Sequence, residues 1–122
     1  MKSITLELIE ELKEVGWFKE LHLSMLANAD FRCEYCGEDF LARFNECFHA
    51  QLDHVYPKSK GGSDEPSNLA AACVTCNALK WDYTPSGKTR AEQIADAARY
   101  IQEQRRVEEE KWNKYRELMR DS

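Results

Sequence analysis

The sequence has no run of apolar residues approaching a membrane span, little glycine and less proline: five and three in 122 residues. Without such a run no membrane-spanning helix is expected within these residues. The scarcity of glycine and proline excludes a fibrous or low-complexity chain. No segment repeats, which excludes a solenoid. An excess of positive charge is also missing, since the formal net charge is −5. The apolar residues near the N-terminus are interrupted by Glu7, Glu10 and Glu11, so no secretory leader is expected and the chain reads as intracellular. With 32% charged and 43% hydrophobic residues, the balance is that of one small globular domain. A core of this size gains from a staple such as a structural metal.

The charge is not evenly spread. Between Val55 and Arg90 there are five bases (Lys58, Lys60, Lys80, Lys88, Arg90) against three acids (Asp64, Glu65, Asp82), whereas residues 1–32 hold four bases and six acids. The middle of the chain is therefore locally and mildly basic. Any polyanion would be held there weakly and in a salt-sensitive way.

Three segments follow from pattern. In residues 1–31, Leu6, Leu8, Ile9, Leu12 and Val15 recur at helical spacing, and Gly16 can take the left-handed cap conformation. Phe18, Leu21, Met25 and Leu26 predict a second helix before Ala29. Residues 32–87 hold every cysteine and every proline. There Phe48, Ala50 and Leu52 alternate with His49, Gln51 and Asp53, which predicts a strand. Pro57 and Gly61-Gly62 mark a loop, Leu69–Ala72 a second strand, and Asn77–Trp81 the start of a helix. Trp81 and the apolar stripes are expected in the core. Residues 88–122 read as a long helix. Thr89 and Glu92 have capping-box spacing, and Ile94, Ala98, Ile101, Trp112, Tyr115 and Met119 form one stripe broken by Arg105 and Glu108. The run Glu108-Glu109-Glu110 reads as a solvated face.

Cysteine supplies the firmest local signal. Cys33-Glu34-Tyr35-Cys36 and Cys73-Val74-Thr75-Cys76 are two Cys-x-x-Cys pairs, and Cys47 is left over as a small buried apolar residue. Two residues between thiols let both turn toward one ion. Two such knuckles complete a tetrahedral four-cysteine site, which suits structural Zn2+ and leaves no position for water. A redox dithiol usually comes alone beside a βαβ pattern, and neither feature is present.

The insertion between the knuckles carries Asp53-His54-Val55-Tyr56-Pro57, then Gly61-Gly62, then Asn68-Leu69; Asn77-Ala78-Leu79-Lys80 follows the second knuckle directly. In order and spacing, residues 33–80 resemble the HNH endonuclease family. That resemblance implies an α+β fold: a ββα-metal finger stapled by zinc on Cys33, Cys36, Cys73 and Cys76, flanked by N-terminal helices and a long C-terminal helix. It also implies hydrolysis of DNA phosphodiester bonds. His54 would be the general base and Asn68 would hold the loop around it. Asp53 and Asn77 would be ligands of Mg2+ or another divalent cation.

Those residue types suit the chemistry. An imidazole accepts a proton near neutral pH, and a hard cation takes carboxylate and amide oxygens while keeping several waters. Lys58, Lys60 and Lys80 are candidates for contacts to substrate phosphate. The rival expectation is a zinc-bearing DNA-binding or adaptor module without catalysis, which does not require Asp53, His54 and Asn77 together. A C-terminal helix serving a homodimer or a larger complex is compatible with either.

Overall fold

A computed structural model describes residues 3–120. Helix α1 spans Leu6–Val15. Thr5 caps its start by accepting from the Leu8 amide at 3.1 Å, and Gly16, at φ 97°, ends it. Helix α2 follows at Glu20–Asn28. A one-turn helix, α3, occupies Phe44–Phe48. Strands β1 (Gln51–His54) and β2 (Leu69–Ala72) pair antiparallel, with Leu52 opposite Ala71 and His54 opposite Leu69. Helix α4 (Val74–Lys80) leaves β2 through Cys73, whose sulfur caps it by accepting from the Cys76 amide at 3.3 Å. Helix α5 runs over Arg90–Arg120.

The α+β class expected from the sequence is what is observed. The capping box is present as well: Glu92 Oε1 accepts from the amides of Lys88 and Thr89, and Thr89 Oγ1 accepts from the Glu92 amide, all within 3.1 Å. None of the helices in the described residues is long and apolar enough to cross a membrane.

Three expectations need correction. Phe48 belongs to α3 and is exposed, so the strand begins only at Gln51. Trp81 is 79% exposed rather than in the core. Of the long C-terminal stripe, Ile101 is buried, but Trp112, Tyr115 and Met119 project into solvent. The distal part of α5 extends past the body it would have covered.

The core gathers Leu26 of α2, Phe40, Cys47, Ala50, Val55, the β2 alanines, and Ala97 and Ile101 of α5. All four residues of β2 are buried, and three are alanine, so α2 can approach the strand closely. The outer edge of β2 is occupied by the first knuckle. The Glu34 amide donates to Ala71 O at 2.8 Å, and the Ala71 amide donates to Glu34 Oε2 at 2.7 Å. Arg90, at the start of α5, closes the same edge by donating to Leu69 O at 2.7 Å and pairing with Glu34 at 3.0 Å.

Candidate active site and metal cluster

The two knuckles converge. One ligand atom from each of Cys33, Cys36, Cys73 and Cys76 lies within 4.8 Å of every other. Cys36 Sγ and Cys73 Sγ are 3.8 Å apart. Four thiolates placed tetrahedrally at about 2.3 Å from one zinc ion would stand about 3.8 Å from each other, so spacing and donor set both fit such an ion. The thiols also pull one another's acidities apart. Hydrogen bonds from Cys36, Cys73 and Cys76 push Cys33 down. Cys36 settles at about 7, the opposing effect of Cys33 being outweighed by Cys73 and Cys76. Cys73 and Cys76 are pushed up by Cys33 and Cys36. Four thiolates cannot coexist at this spacing without a cation among them. From α5, Arg105 reaches the cluster and donates to Cys76 Sγ at 3.7 Å, a positive charge that would offset the surplus negative charge of four thiolates around a divalent ion.

The strand leading away from the cluster carries the other candidates. Successive residues point to opposite faces, so Gln51 and Asp53 share one face of β1 and His54 takes the other. The Gln51–Asp53 face is turned toward α4: Asn77 Nδ2 donates to Gln51 Oε1 at 2.6 Å, and Lys80 Nζ lies 3.1 Å from Asp53 Oδ2. A strand whose inward face is polar is unusual, and here that face meets the helix through hydrogen bonds. Tyr35, from inside the first knuckle, donates its hydroxyl to the same Asp53 oxygen at 2.6 Å. Burial foremost, with Asp53 behind it, raises the Tyr35 phenol well above its ordinary value, so it remains a donor. Asp53 Oδ1 and Asn77 Oδ1 are the oxygens left for a further partner.

Lys80, expected at a substrate phosphate, is instead fully buried. Its ammonium donates to His54 O at 3.0 Å and pairs with Asp53. A charge taken out of water needs such partners, and here they are the backbone of one candidate and the carboxylate of the other. Lys80 therefore cannot reach solvent. Lys58 and Lys60 sit in a single 3-10 turn after Pro57 and are exposed.

His54 keeps 30% of its side chain exposed. Its Nε2 is 2.8 Å from Asp64 Oδ1, and Lys58 holds the other Asp64 oxygen at 2.9 Å. Lys58 and then His54 lower the Asp64 carboxyl below its ordinary value. Sequence reasoning missed Asp64 and Tyr35. Asp64 follows the Gly61-Gly62 turn, and only the closed loop brings it back to residue 54.

Asn68 closes that loop. It accepts from the Tyr56 amide at 2.9 Å, and donates to Tyr56 O at 3.1 Å and to Ser63 O at 2.8 Å. Gly62 is required beneath it, because a Cβ there would fall 1.9 Å from Tyr56 O.

Fold and site together define a ββα finger closed by a four-cysteine cluster with the spacing to hold a metal ion, and a partly exposed histidine at the end of its first strand. Residues 33–82 match the family model described as HNH endonuclease, so this part of the chain is similar to an HNH domain, the family that residues 33–80 resemble. Such a domain implies a nuclease-type or nucleic-acid-related role. No curated protein and no solved structure matches the chain.

Proposed function

We propose that the protein is a metal-dependent endonuclease that hydrolyses phosphodiester bonds in DNA, with His54 as general base and zinc as the ion in the four-cysteine cluster. The observation that carries this reading is the setting of His54. Its ring is partly open to solvent, Asp64 engages Nε2, and the backbone carbonyl is tied to Lys80. With Asp64 accepting from Nε2–H, the neutral ring presents Nδ1 as its unprotonated nitrogen. A water positioned there loses its proton to Nδ1 as its oxygen attacks phosphorus. The P–O3′ bond breaks, the 3′ oxygen takes up a proton from solvent, and the products carry a 5′ phosphate and a 3′ hydroxyl. Asn68 and Gly62 keep the loop closed so that Asp64 stays on the imidazole.

Asp53 Oδ1 and Asn77 Oδ1 would hold a hard divalent cation such as Mg2+, and two oxygen ligands suit an ion that keeps most of its waters. When bound, that ion offsets charge developing on the phosphoryl and leaving oxygens. Exposed Lys58 and Lys60 would contact the strand's phosphates.

One observation favours the non-catalytic rival: Lys80 already neutralises Asp53. Cleavage of supercoiled plasmid in Mg2+ or Mn2+ separates the two readings. We expect wild type to cut and His54→Ala to be slower by about 100-fold or more. Equal cleavage by both proteins would remove His54 from the mechanism. Cleavage by neither, in either metal, would leave a zinc-held binding module.

A further inference from the structure

Trp81 combines two features that a packing role does not explain. It sits just past α4 with φ 52° and ψ −121°, in a turn closed by the Tyr83 amide donating to Lys80 O at 2.9 Å. Those angles are the mirror image of the first central position of a type II turn, a place where glycine is the favoured residue. A bulky side chain held there carries backbone strain, and such strain collects at functional positions. The second feature is exposure: 79% of this largest of side chains faces water. Strain and exposure both act against stability.

The location of Trp81 supplies what they are for. Trp81 lines an open cleft of about 600 Å3 together with Gln51, Ser59, Asn77 and Asp82. Asn77 is the candidate cation ligand on this side of α4. Ser59 comes from the turn that also carries exposed Lys58 and Lys60, of which Lys58 is engaged by Asp64. The cleft thus joins a hydroxyl, two amides and the apolar side chains of Val74 and Ala78 to an exposed aromatic ring. Asp82 in the same cleft disfavours a phosphate there, which turns a base rather than the backbone toward the ring.

We propose that Trp81 is a stacking platform for a nucleobase of the bound strand, next to the bond to be cut. This rests on the nuclease reading for the identity of the ligand, but not on His54 as base. Aromatic–base stacking tolerates any sequence because every base has a π face. The platform therefore adds affinity without sequence choice, as suits a chain with a mild positive patch. An unpaired base would lie directly on the indole. In duplex DNA the ring would enter at a step that opens, so weaker binding is expected there.

The test uses the zinc-loaded full chain carrying His54→Ala, without added divalent cation. The probes are a short fluorescein-labelled single strand and the matching duplex, read by anisotropy. Trp81→Phe should bind the single strand nearly as wild type does. Trp81→Ala and Trp81→Gly should lose about tenfold. Trp81→Gly should also melt no lower than its parent, because glycine relieves the strained turn. In a Trp17→Phe, Trp112→Phe background, Trp81 emission should be quenched by the strand.

Affinity unchanged by Trp81→Gly would overturn the platform while leaving the nuclease reading intact. Affinity and melting temperature falling together in Trp81→Gly would show a structural residue, and would overturn it as well. If neither probe binds the parent, the platform and the nucleic-acid reading fail together.

Discussion

The finger at residues 33–82 and the distal half of α5 are held in opposite ways. In the finger, polar groups are engaged over long sequence distances: Tyr35 with Asp53, Glu34 with Ala71, Asn77 with Gln51, Lys80 with His54. From Glu108 to Arg120 every residue is exposed, and the bonds are local. Lys111 pairs with Glu108, Lys114 with Glu117, Arg106 with Glu110, and the Arg116 guanidinium lies 4.7 Å from the centre of the Trp112 ring. Exposed pairs of this kind contribute only tenths of a kcal/mol each. Regular secondary structure is therefore a poor guide to where stability resides here. The best-formed element, α5, is half unsupported, while two four-residue strands are held firmly because other elements grip them.

Removing the metal should break the comparison most completely. Stripping zinc with a strong chelator at neutral pH should collapse the amide NMR dispersion of residues 33–82. Residues 108–120 should change far less, since they do not touch the cluster. A metal-free chain that keeps its dispersion, with metal loss verified by elemental analysis, would show that the knuckles are not the staple.

Next in size is Lys80→Met. It leaves Asp53 buried beside Tyr35 without a counter-charge, and losing one partner of a buried pair costs about 3–5 kcal/mol. Urea denaturation should show that loss. A loss below about 1 kcal/mol would mean the pair is better hydrated than its burial implies.

The smallest effect should come from the other region. Trp112→Ser should shift stability by no more than about 0.5 kcal/mol, the usual range for surface changes. A larger drop, joined to a change in sedimenting mass, would reveal a partner covering that stripe.

What the sequence discloses follows the same division. Caps and knuckles are legible because their logic spans a few residues: Gly16 ends α1, Thr89 and Glu92 start α5, and each Cys-x-x-Cys turns on itself. The HNH pattern added the order of His54, Asn68 and Asn77. Long-range geometry was not legible. The spacing of Lys80 after Asn77 on a helix face cannot tell that the ammonium points inward to β1 rather than outward to a phosphate. Trp81 reads as core by its hydrophobicity, yet the turn that follows α4 turns it outward. The Phe48–Asp53 alternation locates the strand, but its first apolar residue, Phe48, belongs to a one-turn helix and its polar face is the inner one. Asp64 is hidden because its partner is ten residues away across a loop whose closure depends on Asn68 and Gly62.

The way Glu34 and Arg90 sit along β2 reaches beyond the site. An apolar strand with no charge of its own, such as Leu69–Ala72, is a template on which a neighbouring molecule could add a strand and begin a fibre. With Ala71 and Leu69 already occupied from outside by a carboxylate, an amide and a guanidinium, that template is closed to other chains. Protection of this edge thus rests on two side chains, Glu34 and Arg90, at the rim of the knuckle.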